Sequence, residues 1–411
     1  MNNQPLPEQA PGHTQKKDDD KVQALLENIS RKGAKKVDKV IYGIYDNTNA
    51  SVFTKVNDLM VDHTRIGLKE KSYFFHLMAV MIDAGIPMLQ TLQVLARRTE
   101  NPHFQRIINT LAHATSSGKS LSDSMARFSE VFNESEIGVI RAGEAAGNLN
   151  KMLFRLSEQI EKSHSLQVKL ITAATYPLVI FLTLITIAIG MMIWIVPTLI
   201  NLLKEGGLPE DQFPTATKVL IALSTFISSY WWLIILVVVI TLSLYHVYRG
   251  TQVGKFQTDY MKLRIPIIGS LVRKVIVLRF VSMLGILIEA GLPVLKTLQI
   301  IGGSIDNSLY QAKTWDVIKK VQAGEKISDN LMDAPFLFPE TVTQMLSIGE
   351  SSASMGSISQ KIGIHFDREI DHSLKRLTSL FEPLMILFVG IVVALLALAI
   401  LMPIFDLTRL V

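Results

Sequence analysis

Three stretches of this chain contain no Asp, Glu, Lys or Arg: Leu170 to Leu203, Val219 to Tyr248 and Pro383 to Phe405. Each exceeds the ~20 residues with which a helix crosses ~30 Å of hydrocarbon. The run from Leu384 to Leu396 is apolar on every face, which a half-buried surface helix cannot be. The sequence therefore predicts three membrane-spanning helices, at 170–200, 228–248 and 383–405, in an otherwise soluble all-α chain.

Charge sets their direction. Between Asn201 and Tyr230 two lysines, Lys204 and Lys218, stand against Glu205, Glu210 and Asp211. After the second run come Arg249, Lys255, Lys262, Arg264, Arg273, Lys274 and Arg279, and Lys375 and Arg376 precede the third. Basic loops stay on the cytoplasmic side. The expected topology is a cytoplasmic N-terminus, a periplasmic loop at 201–227 and a periplasmic tail at 406–411. The polar, charged start predicts no signal peptide.

The chain is also a tandem duplication. Phe74 to Pro197 aligns without a gap on Phe280 to Pro403, an offset of 206. Asp83-Ala84-Gly85-Ile86-Pro87 answers to Glu289-Ala290-Gly291-Leu292-Pro293, Gly118 to Gly324, Ser122-Asp123 to Ser328-Asp329, Gly143-Glu144 to Gly349-Glu350, and Lys169 to Lys375. Each copy ends in an apolar run, bracketed by Pro177 and Pro197 or by Pro383 and Pro403.

Within a copy, apolar residues such as Phe74, Leu77, Met78 and Met81 recur at steps of three and four, the period of an amphipathic helix. Gly85-Ile86-Pro87 and Gly291-Leu292-Pro293 read as a helix stop followed by a helix start, glycine taking the left-handed cap and proline the first turn. Gly118 and Gly324 close another helix, and Ser122-Asp123 and Ser328-Asp329 offer a cap oxygen and a first-turn carboxylate to the next. The prediction is two homologous cytoplasmic bundles, 66–169 and 249–382, each of about six short helices followed by a long one entering the membrane. Residues 1–65 are polar and expected to be partly disordered, with a short helix near Val22 to Ile29 and a small leader element between Lys36 and Thr64.

The chemistry-bearing candidates are few. Ser117-Gly118-Lys119-Ser120 has the ending of a phosphate loop, but the glycine expected five residues earlier is His113, so the segment reads as a capping turn. The histidines form no metal-ligand pair, there is no nucleophile elbow, and the absence of cysteine excludes disulfides and thiolate sites. No aromatic-interleaved basic patch points to nucleic acid. The chain is not expected to be an enzyme. The duplicated Gly143-Glu144 and Gly349-Glu350 are read as a helix cap or salt bridge, with a partner contact or a weak cation site as the functional alternative. Within the spans, Gly190 and Gly390 are candidates for close helix approach.

Together, Ala84 to Leu92 and Ala290 to Leu298, Gly118 to Ser122 and Gly324 to Ser328, Ala142 to Leu149, and the link Arg264-Ile265-Pro266-Ile267-Ile268-Gly269 resemble the inner-membrane platform proteins of type II secretion and type IV pilus assembly. The resemblance covers about residues 68 to 408. It implies a scaffold between a cytoplasmic hexameric assembly ATPase and pilin-like subunits, in contact with other inner-membrane assembly proteins, with lipid and with further copies of itself. It implies no catalytic cofactor. Some members bind calcium in the first domain, and the matching positions are Gln90, Glu144 and Asn148. Only Glu144 is a carboxylate, so the implied site is weak. The second copy departs further: Ala353 replaces Gly147 and Lys296 replaces Gln90, so similar folds with unequal partners are expected. A channel or carrier subunit is the alternative reading, and the absence of Asp, Glu, Lys and Arg within the spans counts against it.

Overall fold

The computed structural model describes residues 42, 61, 64–205 and 215–408. The helix expected near Val22 to Ile29 and most of the leader element lie outside the described residues. Among those described, the ordered structure is helical throughout, with no strand. The chain divides into two compact units, Met1–Glu161 and Lys162–Val411.

The first unit holds α1 (Leu68–Asp83), α2 (Met88–Arg98), α3 (Pro102–Ser116), α4 (Leu121–Met125), α5 (Glu134–Ala145) and the start of α6 (Leu149–Gly190). Its core is aromatic. Phe74 meets Phe75 and Phe104 edge-on at 5.2 Å, and Phe75 meets Phe132 at 6.1 Å. All four rings are buried, and each contributes about 1.5–3 kcal/mol by leaving water.

Local chemistry sets the boundaries. Asn101 opens α3, its side-chain oxygen accepting from His103 N and Phe104 N while Pro102 occupies a first-turn position with no use for an N–H. Asn133 and Glu136 cap α5 reciprocally. Gly85 closes α1 at φ +80°, with Gly85 N donating to Ile82 O and Ile86 N to Met81 O.

The second unit takes in the rest of α6, α7 (Val196–Glu205), α8 (Thr215–Gly250), α9 (Gln252–Arg264), α10 (Ile268–Glu289), α11 (Val294–Ser304), α12 (Ser308–Gln322), α13 (Ile327–Met332), α14 (Glu340–Ser351) and α15 (Met355–Thr408). From α10 onward it repeats the first bundle. Phe280 and Tyr310 pack edge-on against Phe338 at 5.2 and 5.3 Å, and Asn307 caps α12 as Asn101 caps α3.

Among the described residues, three helices are long and apolar enough to cross a membrane: Leu149–Thr198, Ser228–Gly250 and Met355–Ala394. At most 11% of any of their apolar windows is buried against protein, so these faces require lipid or another apolar partner. Trp194, Trp231 and Trp232 are exposed where the first span ends and the second begins, the place of an interfacial aromatic belt. His246 lies at the other end of the second span.

The helices differ from the sequence expectation in two ways. Each copy has five short helices, and the sixth is the near half of the long helix itself: α6 and α15 run unbroken from bundle to span, over ~63 and ~81 Å. Helix continues through Pro177, Pro197, Pro383 and Pro403, the four prolines that bracket the two apolar runs. A single π turn, Met191–Ile195, precedes Pro197, and the Ser224 hydroxyl of α8 donates to the Met192 carbonyl within it. Helix also extends into the expected 201–227 loop from both sides, to Glu205 and from Thr215, with a break at Tyr230 (φ −115°, ψ 16°).

Candidate functional site

The duplicated Gly-Glu pair is built identically in both copies. A Cβ on Gly143 would lie 3.0 Å from Met152 Cβ and Cγ, and one on Gly349 would lie 3.1 Å from Ile358 Cβ, the equivalent neighbour. The glycine therefore lets α5 pack directly on α6, and α14 on α15, where a Cβ would crowd Met152 or Ile358. The glutamate beside it caps a third helix. Glu144 Oε1 accepts from Leu121 N at 2.6 Å, and Oε2 from Ser122 N at 3.2 Å and Ser122 Oγ at 2.6 Å. Glu350 accepts from Ile327 N, Ser328 N and Ser328 Oγ at 2.8, 3.2 and 2.8 Å. A carboxylate over free N–H groups at a helix start is favoured by hydrogen bonding and by the helix dipole. The motif thus ties the helix that enters the membrane to the rest of its bundle.

This corrects the reading of Ser122 and Ser328. Their hydroxyls donate to the glutamates, and the side-chain cap of α4 is Ser120, which accepts from Asp123 N at 3.1 Å. The corresponding Lys326 supplies no side-chain cap to α13. Pro87 and Pro293 likewise stand at the N-cap, both with φ −57° and ψ 142°, one residue before the expected first turn. Gly291 is left-handed as expected, with φ +86°, and Gly118 and Gly324, expected to close a helix, are left-handed too, at φ +79° and +90°. The Gly118-Lys119-Ser120 segment is a closing turn, Lys119 N donating to Ala114 O. Among the described residues, neither Gly190 nor Gly390 meets a neighbouring helix: an added Cβ would touch Trp194 of its own helix at the first and nothing within 4 Å at the second.

Of the calcium candidates, Glu144 serves α4 instead of standing free. Gln90 is exposed on α2, and the side-chain oxygen of Asn148, just before α6, is buried without a hydrogen-bond partner. Among the described residues no three His, Asp or Glu side chains gather at metal-binding distance.

Sequence reasoning missed three polar contacts. Lys71 Nζ lies 2.7 Å from Glu136 Oε2 inside the first bundle. Lys169 of α6 pairs with Asp371 of α15 at 2.7 Å, where Leu166, Leu170 and Ala173 pack on Leu271, Ile370 and Leu374. Lys274 of α10 donates to Glu369 Oε2 and Ser373 Oγ at 2.8 and 2.9 Å. The Lys274 hydrogen bond and charge hold the Glu369 carboxyl below the usual glutamate range. Comparing the copies would have flagged the first two contacts, because Lys71 and Glu136 answer to Val277 and Val342, and Asp371 answers to Ser165.

With this geometry in view, the sequence signature of the family "Type II secretion system (T2SS), protein F" matches residues 74–197 and again 280–403. The chain is 31% identical over 340 residues to the type IV pilus assembly protein PilC of Thermus thermophilus, covering 83% of each. It is 29% identical to the protein of the same name in Myxococcus xanthus, covering 82% of this chain and 80% of the relative. To the type II secretion system protein F of Aeromonas hydrophila it is 26% identical, over 81% of this chain and 85% of the relative.

Proposed function

The chain belongs to the type II secretion system protein F family, and on that premise we propose that it couples a cytoplasmic hexameric ATPase to the lifting of pilin-like subunits into a growing filament. Its relatives are components of pilus and secretion machinery, and the chain is a multi-pass inner-membrane platform protein of that kind. In the proposed topology both bundles face the cytoplasm and the C-terminus faces the periplasm, in keeping with the basic residues that follow the second span.

The observation that carries the reading is mechanical continuity. The last helix of each bundle is the same helix that spans the membrane, packed against its bundle at the glycine approach, and the Glu144 or Glu350 cap ties the helix carrying that glycine to a third. A rigid helix transmits rotation or displacement without loss at a loop, whereas Lys71, Glu136, Glu144 and Glu350 are occupied in holding helices together. The spans offer long apolar faces to the apolar helix of a pilin, and other inner-membrane assembly proteins and further copies of this chain would complete the platform.

The test is to insert three glycines between His164 and Ser165, interrupting α6 outside the membrane. The variant is expected to co-purify with the assembly ATPase at the wild-type level yet to build no filaments. Filament assembly at the normal level would overturn the lever. Failure of the unaltered protein to associate with the ATPase would overturn the partner.

A further inference from the structure

We propose that α9 and the elbow joining it to α10 form a membrane-surface element: their exposed apolar side chains lie among acyl chains at the end of the second span, and Arg249 and Arg264 contact anionic phospholipid headgroups. The proposal rests on the second span being a membrane helix and not on the platform reading.

The first observation is where α9 begins. Only Thr251 separates it from the span, and its hydroxyl accepts from Gly254 N at 3.0 Å. A Cβ on Gly254 would sit 1.9 Å from the Tyr248 carbonyl oxygen. Residues six apart in a straight helix are ~9 Å apart along its axis, so the chain folds sharply at Thr251 and α9 leaves the span's axis where the span ends. The Tyr248 hydroxyl then donates to Gln257, a second tie between span and helix.

The second observation is which face remains. Gly254, Thr258, Asp259 and Leu263 are buried, and Asp259 Oδ2 accepts from Ser308 N and Oγ at 3.0 and 2.9 Å, which fixes the rotation of α9 on the bundle. That orientation leaves Val253 65%, Phe256 48% and Met261 69% exposed. A helix facing water carries polar residues there, whereas apolar bodies flanked by arginine suit an interfacial helix. The Arg264 guanidinium stacks on Tyr260 at 4.7 Å, and Arg249 lies in the last turn of α8.

The third observation is the elbow. Ile267 has φ 66° and ψ −57°, and Ile268 N donates back to Pro266 O at 2.7 Å, a γ-turn with positive φ. A β-branched residue is strained in this conformation, which glycine or asparagine would take more readily in water. Ile265, Ile267 and Ile268 nevertheless all point outward. An apolar environment accounts for both the residue type and the exposure. Continuity with the span supplies that environment, and the negative surface of an anionic membrane attracts nearby arginines.

The chain has no cysteine, so single-site labelling needs no background substitution. Full-length Phe256→Cys, Met261→Cys and, as an exposed polar control, Glu325→Cys would be labelled with bimane and reconstituted in vesicles of phosphatidylcholine and phosphatidylglycerol. Labels at 256 and 261 are expected to be quenched by doxyl lipids and shielded from iodide, with the reverse at 325. In phosphatidylcholine alone the lipid quenching at 256 and 261 is expected to fall by about twofold. Iodide quenching at 256 and 261 equal to that at 325 would overturn the membrane contact. Protection from both quenchers would overturn it too, assigning the face to a second copy of the chain. Equal lipid quenching in the two vesicle types would overturn the headgroup contact.

Discussion

Lys71 and Glu136 form an ion pair 2.7 Å long inside the first bundle, with side chains only 7% and 4% exposed, at the positions that the fully buried Val277 and Val342 hold in the second. The surrounding polar groups change in concert. Lys71 also donates to Val131 O at 2.6 Å, and the equivalent Leu337 O receives the Tyr310 hydroxyl at 2.6 Å, where the first copy has Phe104. Asn133 N donates to Glu136, and its counterpart, Pro339, has no N–H to satisfy. The two bundles thus hold one complete solution each to the same buried polar groups. Burial pushes the Glu136 carboxyl up, against the opposing pull of the Lys71 ammonium.

Removing one partner therefore costs more than replacing the set. Glu136→Ala leaves a buried ammonium unpaired, and a loss of about 3–5 kcal/mol is expected. The combined change Lys71→Val, Glu136→Val, Asn133→Pro and Phe104→Tyr is expected to stay within about 1–2 kcal/mol of wild type. Thermal unfolding of the detergent-solubilised full chain measures both. A combined variant as unstable as Glu136→Ala would show that the two solutions are not interchangeable.

The carboxylate caps should be unequal in value. Glu144→Ala leaves the N–H groups of Leu121 and Ser122 without their acceptor, at an expected cost of about 1–3 kcal/mol. Glu350→Ala should cost more, because α13 has no counterpart to the Ser120 cap. Melting temperatures of the two variants compare them directly, and a larger loss at Glu144 would contradict this account.

Ala353 closes α14 in the left-handed region at φ 48°, where the first copy has Gly147 at φ 65°. Both positions make the same closure, Ser354 N donating to Gly349 O and Asn148 N to Gly143 O. Ala353→Gly is therefore expected to stabilise the chain by about 1 kcal/mol, and Gly147→Ala to destabilise it by about as much. Opposite shifts in melting temperature are the readout.

The Lys274 contact predicts a pH dependence. Glu369 is held below its ordinary value of 4.5, first by the hydrogen bond from Lys274 and then by its charge. A depressed carboxyl contributes stability that is present above the unfolded value and lost as pH falls through it toward the folded value. The stability advantage of wild type over Lys274→Met should accordingly shrink as pH is lowered through 4.5. An advantage that is unchanged on the acid side would remove Glu369 from the linkage.

Thr91 and Thr297 are equivalent, fully buried, and their hydroxyls have no hydrogen-bond partner. Replacing an unpartnered buried hydroxyl with a methyl group of similar shape removes a desolvation penalty. Thr91→Val and Thr297→Val are expected to be neutral or stabilising by about 1 kcal/mol. A loss of stability would reveal an acceptor for the hydroxyl.

The sequence by itself determined the helical class, the three spans, the duplication, the left-handed turns at Gly85 and Gly291, and the helix ends at Gly118 and Gly324. Each follows from a local rule: the length of an apolar run, the helical period, or a backbone angle that glycine alone takes without strain. Only the tertiary structure decided what the polar residues of those motifs do. Glu144 and Leu121 lie 23 residues apart, Lys71 and Glu136 65, and Lys169 and Asp371 202. Hydrogen bonds and ion pairs act over about 3 Å, and which distant groups come that close is set by the packing of helices and not by any periodicity along the chain. The same holds for the outward face of α9: its apolar residues are visible in the sequence, but Asp259 on Ser308 fixes which of them the bundle leaves uncovered.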